Sequence, residues 1–123
     1  MALNCYQDLI VWQKAMDLVV NVYGLVKLLP REEMFSLSDQ MKRVAVSIPS
    51  NIAEGQSRHS RKEFVHFLYI SKGSVSELET QLLLCVRLEY MTTSEIKKAI
   101  ALCGEIGKML NALINKLSNN EVS

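Results

Sequence analysis

The chain has 123 residues, 49% of them apolar, with five glycines, two prolines and a formal net charge of +1 at pH 7. That length suits one domain, residues 1–123, built on a single core. The near-neutral balance excludes nucleic-acid binding by bulk charge alone, and the lack of alternating Val/Ile/Thr runs between turn residues predicts an all-α fold.

The first predicted helix covers about 8–29. Trp12, Ala15, Met16, Val19, Val22, Tyr23 and Val26 form its inner stripe, and Pro30 stops it. The second covers 37–54, in the run LSDQMKRVAVSIPSNIAEGQSR, and carries a proline within its apolar period. Met41, Val44, Ala45, Ile48 and Ile52 recur at spacings of three and four without a change of phase, so the helix continues through Pro49 and is expected to kink there. Proline removes the amide that would bond the Ala45 carbonyl, and Ser47, Ser50 and Asn51 are placed to compensate or to reach a neighbouring helix. Ser36 is the expected N-cap with Asp39 in the first turn. Gly55 is expected at the C′ position with positive φ, making Glu54 the last helical residue.

The third helix is the longest, at 60–89, opened by a capping box of Ser60 and Glu63. Phe64, Leu68, Ser71, Val75, Leu78, Leu82, Cys85 and Glu89 alternate four and three apart, as in a heptad stripe. Glu77 and Glu79 project roughly 160° apart and cannot act as paired carboxylates. Glu77 is expected in a polar cluster with Ser74, and Gly73 where a helix approaches closely. A second box, Thr92 and Glu95, opens the fourth helix at 93–117, with Met91 and Ile96 as a hydrophobic staple. Its stripe runs through Ile96, Ile100, Cys103, Gly107, Leu110, Ile114 and Leu117, and Asn119 to Ser123 should fray. The short connections favour an antiparallel, up-down-up-down four-helix bundle.

Apolar residues exceed what one bundle core consumes. Ile70, Leu83 and Leu84 stand off the third helix's seam, and Ile10, Leu18, Val20 and Leu25 off the first helix's stripe. A second copy of the chain is the expected cover, making a homo-oligomer. Charge is also uneven: Lys42, Arg43, Arg58, Arg61 and Lys62, with His59, face the single acid Glu54 between residues 42 and 62. Repeated around an oligomer, that patch could hold phosphates; otherwise it is a solvated face.

Motifs for catalysis are missing. Only Glu63 and His66 have the E-x-x-H spacing of a di-iron bundle, and P-loop, H-E-x-x-H and G-x-S-x-G patterns are absent. Neither an enzymatic activity nor a cofactor or metal is expected. Cys5, Cys85 and Cys103 are odd in number and widely spaced, fitting neither a disulfide framework nor a zinc site. Cys85 and Cys103 fall on core stripes and read as small buried hydrophobes. No apolar run reaches the roughly 20 residues of a membrane span. Met1 to Asp8 lacks a basic region followed by an apolar one, so a cytoplasmic location is expected.

The run LSDQMKRVAVSIPSNIAEGQSR followed by KEFVHFLYISKGSVSELETQL resembles the bacterial four-helix-bundle proteins of intervening sequences in 23S ribosomal RNA genes. The resemblance spans almost the whole chain, through Val11, Trp12 and Ala15, then Ser47, Pro49, Asn51, Ala53, Glu54, Gly55, Gly73, Ser74, Glu77 and Glu79. The fold is also similar to the accessory protein of diversity-generating retroelements, which is strongly basic where this chain is nearly neutral. The resemblance implies a ring-like pentamer and association with RNA or a ribonucleoprotein. On this reading the candidate nucleic-acid contacts are Lys42, Arg43, Arg58, His59, Arg61 and Lys62. Ser47, Pro49, Asn51, Glu54, Gly55, Gly73, Ser74 and Glu77 set shape and assembly, with Asn51 and Glu54 pairing across the bundle. The alternative is a protein-interaction scaffold that makes no nucleic-acid contact.

Overall fold

Four helices account for the fold of the computed structural model, which describes residues 5–122: α1 (Ile10–Leu25), α2 (Leu37–Gln56), α3 (Arg61–Arg87) and α4 (Thr93–Val122). Cross-helix contacts set the direction of two neighbouring pairs. Met41 meets Cys85, Ser47 meets Ser74 and Ile48 meets Ser71, so α3 runs back along α2. Along α1, Tyr23 lies beside Lys42, whereas Trp12 shares a recess with Pro49 and Ala53, so α2 runs back along α1. Each helix packs on two others, α1 on α2 and α4, and α3 on α2 and α4. The all-α bundle expected from the periodicity is therefore present.

The core follows the stripes with one shift of phase. In α2, Met41, Ala45, Ile48 and Ile52 are fully buried, and α3 contributes Leu68, Val75, Leu78, Leu82 and Cys85. In α1 the centre is Val11, Ala15, Leu18, Val22 and Leu25, while Met16 and Tyr23, expected inside, are each 42% exposed. Packing on both α2 and α4 turns the 11/18/25 row inward and leaves the 16/23 row on the flank. Leu18 and Leu25, counted as surplus from sequence, are thus core residues.

Helix ends show local corrections. A 3-10 turn at Tyr6–Asp8 precedes α1, extended Leu9 breaks it off, and another 3-10 turn, Val26–Leu28, finishes the helix. Ser36 does not cap α2; its hydroxyl donates to Glu33 Oε1 at 2.6 Å instead. Ser60 does cap α3, accepting from the Glu63 amide at 3.1 Å. The Thr92–Glu95 box closes in both directions, at 3.1 and 2.8 Å, above buried Met91 and Ile96. The last helix extends to Val122, five residues beyond the expected Leu117; Ser123 lies outside the described residues.

Two glycine roles differ from expectation. Among described residues no glycine has positive φ, and α2 passes Gly55 to end at Gln56, not Glu54. Gly55 is buried against α3, where a Cβ would lie 2.6 Å from Phe67 Cβ and 3.0 Å from Phe64 Cδ1. It is the close-approach glycine. Gly73, expected in that role, is exposed on α3 with nothing within 4 Å. The left-handed residue is Glu89, with φ 63°. It lies just past the end of α3, which stops at Arg87 rather than Glu89 because the chain turns there in a Schellman motif. Tyr90 N–H reaches Cys85 O and Glu89 N–H reaches Val86 O.

Candidate nucleic-acid interface

The α2–α3 connection turns tightly because Ser57 donates to the Glu54 carbonyl at 2.8 Å and Ser60 starts the next helix. Arg58 is held on that turn. Its guanidinium pairs with Glu54 at 2.9 Å and lies 5.0 Å from the centre of the Phe67 ring. His59, Arg61 and Lys62 project around the first turn of α3, all exposed. Arg61 and Lys62 form a cationic cap at one end of the bundle with His59 beside them, where the positive end of the α3 dipole adds to their charge.

Lys42 and Arg43 do not join them. Sixteen residues of chain, nearly all in α2, separate Lys42 from Arg58, about 24 Å at 1.5 Å per residue. Arg43 pairs with Asp39 at 3.4 Å, and Lys42 lies 5.4 Å over the Tyr23 ring. The six-residue patch expected from sequence therefore divides into two clusters at opposite ends of α2. The division follows from helix rise: residues close in sequence span the bundle's length when a continuous helix lies between them.

The motif residues form a polar seam between α2 and α3. The hydroxyls of Ser47 and Ser74 are 2.8 Å apart, Ser47 also donates to Val44 O at 2.6 Å, and Asn51 Nδ2 donates to Ser47 O at 2.8 Å. Ser71, fully buried, donates to Ile48 O at 2.9 Å. The accepting carbonyls are those of Val44, Ser47 and Ile48, and not the Ala45 carbonyl freed by Pro49; Pro49 is itself buried on α2. Asn51 and Glu54 do not pair across the bundle: Asn51 bonds within α2, and Glu54 pairs with Arg58. Nor does Glu77 join Ser74, whose partner is Ser47; Glu77 is exposed on α3. The heptad pattern placed Ser71 on the seam, but its bond to α2 could not be read from spacing.

Titration perturbations cluster elsewhere. Hydrogen bonds from Ser36 and Tyr90, the latter at 2.9 Å, hold Glu33 below its usual range and tie the α1–α2 connection to the α3–α4 turn. The same bond raises Tyr90. Burial raises Cys85, and pushes Cys103 up to about 12, so both are neutral thiols rather than nucleophiles. Glu63 and His66 lie on the exposed side of α3, and no group of three His, Cys, Asp or Glu among the described residues could hold a metal. No helix among those residues is long and apolar enough to cross a membrane.

The model of the 23S rRNA-intervening sequence protein family matches residues 7–112, which hold α1, α2, α3, the first two-thirds of α4 and both halves of the polar seam. The chain belongs to that family. A solved structure of a protein of unknown function from the S23 ribosomal protein family of Bacteroides thetaiotaomicron is similar to it, at 32% identity. The match covers 85% of this chain and 98% of the other, with a TM-score of 0.79. No curated protein matches.

Proposed function

We propose that this 23S rRNA-intervening sequence family protein is a non-enzymatic, cytoplasmic homo-oligomer that associates with RNA or a ribonucleoprotein through the cap at the α2–α3 turn. The observation that carries the reading is the grouping of exposed His59, Arg61 and Lys62 around the start of α3, with Arg58 beside them. Arg58 has its charge met by Glu54 and serves as a stacking and positioning residue. Lys42 and Arg43 lie too far along α2 to touch the same phosphates.

Oligomerisation supports this reading because one cap alone is weak. Neutralising two or three phosphates gives a log–log salt slope of only about −2, and several caps on one ring multiply the slope. Exposed Tyr69, Ile70, Leu83, Leu84 and Leu88, between 40% and 56% accessible, give α3 an outward apolar face that another copy can cover. Five copies are the number the family resemblance implies. Analytical ultracentrifugation should show a defined oligomer that Leu83→Glu dissociates. The oligomer should bind 23S rRNA fragments with a steep salt dependence, lost when Arg61 and Lys62 are both reversed to Glu. Salt-independent binding, or binding unchanged by that reversal, refutes the reading. The same α3 face also supports the scaffold alternative: an unrelated protein seated there would survive nuclease treatment and be lost with Leu83→Glu.

A further inference from the structure

The groove between α1 and α2 has a property unrelated to the cap. An open cavity of about 850 Å³ at the Pro30 end is lined by Val26, Leu29 and Met34 and by three cations, Lys27, Arg31 and Lys42. A second recess of about 310 Å³ continues along the same helices past Trp12, Met16, Pro49 and Ala53, and Val19 lines both. From Trp12 to Lys27 the groove is about 22 Å long by helix rise. Charge is confined to one end: the Trp12 recess has no ionisable side chain other than Tyr6 in its lining.

The lining of the charged end is polar in a specific way. Ser38 lines the cavity and is only 7% exposed, so it places a hydroxyl beside the three cations. No acid lines the cavity beside these cations, and of the acids nearby Glu33 is committed to Ser36 and Tyr90, and Asp39 to Arg43. A long apolar trough that is cationic at one end matches a ligand with a head and a tail. An acidic amphipathic helix would need cations along both rims. Cavities of this size, with apolar walls and a few convergent polar groups, typify small-molecule sites.

We infer that the α1–α2 groove binds a free long-chain carboxylate, its head between Lys27, Arg31, Lys42 and Ser38 and its tail running over Val19 toward Trp12. The inference is independent of RNA binding. Trp12 is the only tryptophan, so its emission reports arrival of the tail. Dodecanoate, added below its micelle concentration to delipidated full-length protein, should bind saturably at one per chain. It should raise the melting temperature in a concentration-dependent way, and hexadecanoate, long enough to span the groove, should also shift Trp12 emission.

Arg31→Glu with Lys42→Glu should weaken dodecanoate at least tenfold, and dodecyltrimethylammonium should bind the wild type at least tenfold more weakly than dodecanoate. Val19→Phe should weaken dodecanoate tenfold while octanoate changes less than threefold. Arg61→Glu with Lys62→Glu, and Leu83→Glu, should leave dodecanoate affinity unchanged, which separates failure here from failure of the RNA reading. Several results would overturn the inference: non-saturable uptake, equal binding of the cationic amphiphile, indifference to charge reversal, or dissociation of the oligomer on binding. The last would make the groove a subunit contact.

Discussion

Gly55→Ala tests whether α2 and α3 are as close as the structure places them. The added methyl would sit 2.6 Å from Phe67 Cβ and 3.3 Å from the Phe64 carbonyl oxygen, where carbon pairs prefer about 3.5–4.0 Å. Neither obstacle is the far end of a flexible side chain, so relief requires the helices to part by roughly 1 Å. The same seam carries the Ser47–Ser74 contact at 2.8 Å and the Ser71–Ile48 bond at 2.9 Å, and that shift takes both past hydrogen-bond range. Overpacking costs about 1–3 kcal/mol, and each weakened bond about 1 kcal/mol. Alanine's better helix propensity returns about 1 kcal/mol. The net expectation is a loss of about 2–4 kcal/mol, read by urea unfolding with an unchanged m-value, or as a fall of roughly 10–15 °C in Tm. Gly73→Ala is the internal control. It gains the same propensity with nothing within 4 Å, so it should stabilise by about 0.5–1 kcal/mol. If Gly55→Ala also stabilises, the close approach is wrong.

Glu89→Gly should raise stability by about 1 kcal/mol in chemical denaturation, because glycine takes the left-handed C′ position without the Cβ penalty; a loss would show that the Glu89 side chain contributes more than its backbone costs. Cys103, with a folded pKa of about 12 against an ordinary 9.0, should impose an alkaline stability loss. The unfolded thiol ionises from about pH 9 while the folded one does not, so stability falls above pH 9 until the folded thiol also titrates. Cys103→Ala should flatten that slope in pH-dependent urea unfolding, whatever its effect on the level at pH 7. Tyr90→Phe should let Glu33 titrate closer to its ordinary 4.5, as read by carboxyl NMR. Because the folded pKa is lowered, the associated stability is present above the ordinary value and lost as pH falls through the folded one. The variant narrows that window, and an unmoved Glu33 titration refutes the link.

Helix content, order and most of the core were legible in the sequence because period and capping are local properties. Met41, Ala45, Ile48 and Ile52 could be placed on one face of α2 without knowing what they face. The phase of α1 could not be read as well: its apolar residues surround the helix, and which row turns inward depends on packing against α2 and α4 together. The glycines failed for a related reason. Gly55 stands where a C′ residue would be expected and Gly73 where a crossing would be, but the decisive quantity at each is a distance to another helix. Glu89 was legible only as the end of a stripe, since glutamate does not announce a left-handed turn.

The basic residues show how a sequence cluster becomes two sites. Between residues 42 and 62 the cations look like one patch because the chain is read in order, yet α2 carries its start and finish to opposite ends of the bundle. Each half then acquires neighbours from elsewhere in the chain. Arg58 gains the Phe67 ring from α3, with His59, Arg61 and Lys62 beside it. Lys42 gains the Tyr23 ring from α1 and shares a cavity with Lys27 and Arg31. Reversing charge at one end should therefore leave binding at the other end unchanged, since charges about 24 Å apart lie beyond two Debye lengths at physiological salt. A double-mutant cycle between Lys42→Glu and Arg61→Glu, scored on RNA affinity, should give additive free energies to within about 0.5 kcal/mol. Strong coupling would return both cations to a single surface and would require a bound RNA long enough to span the whole of α2.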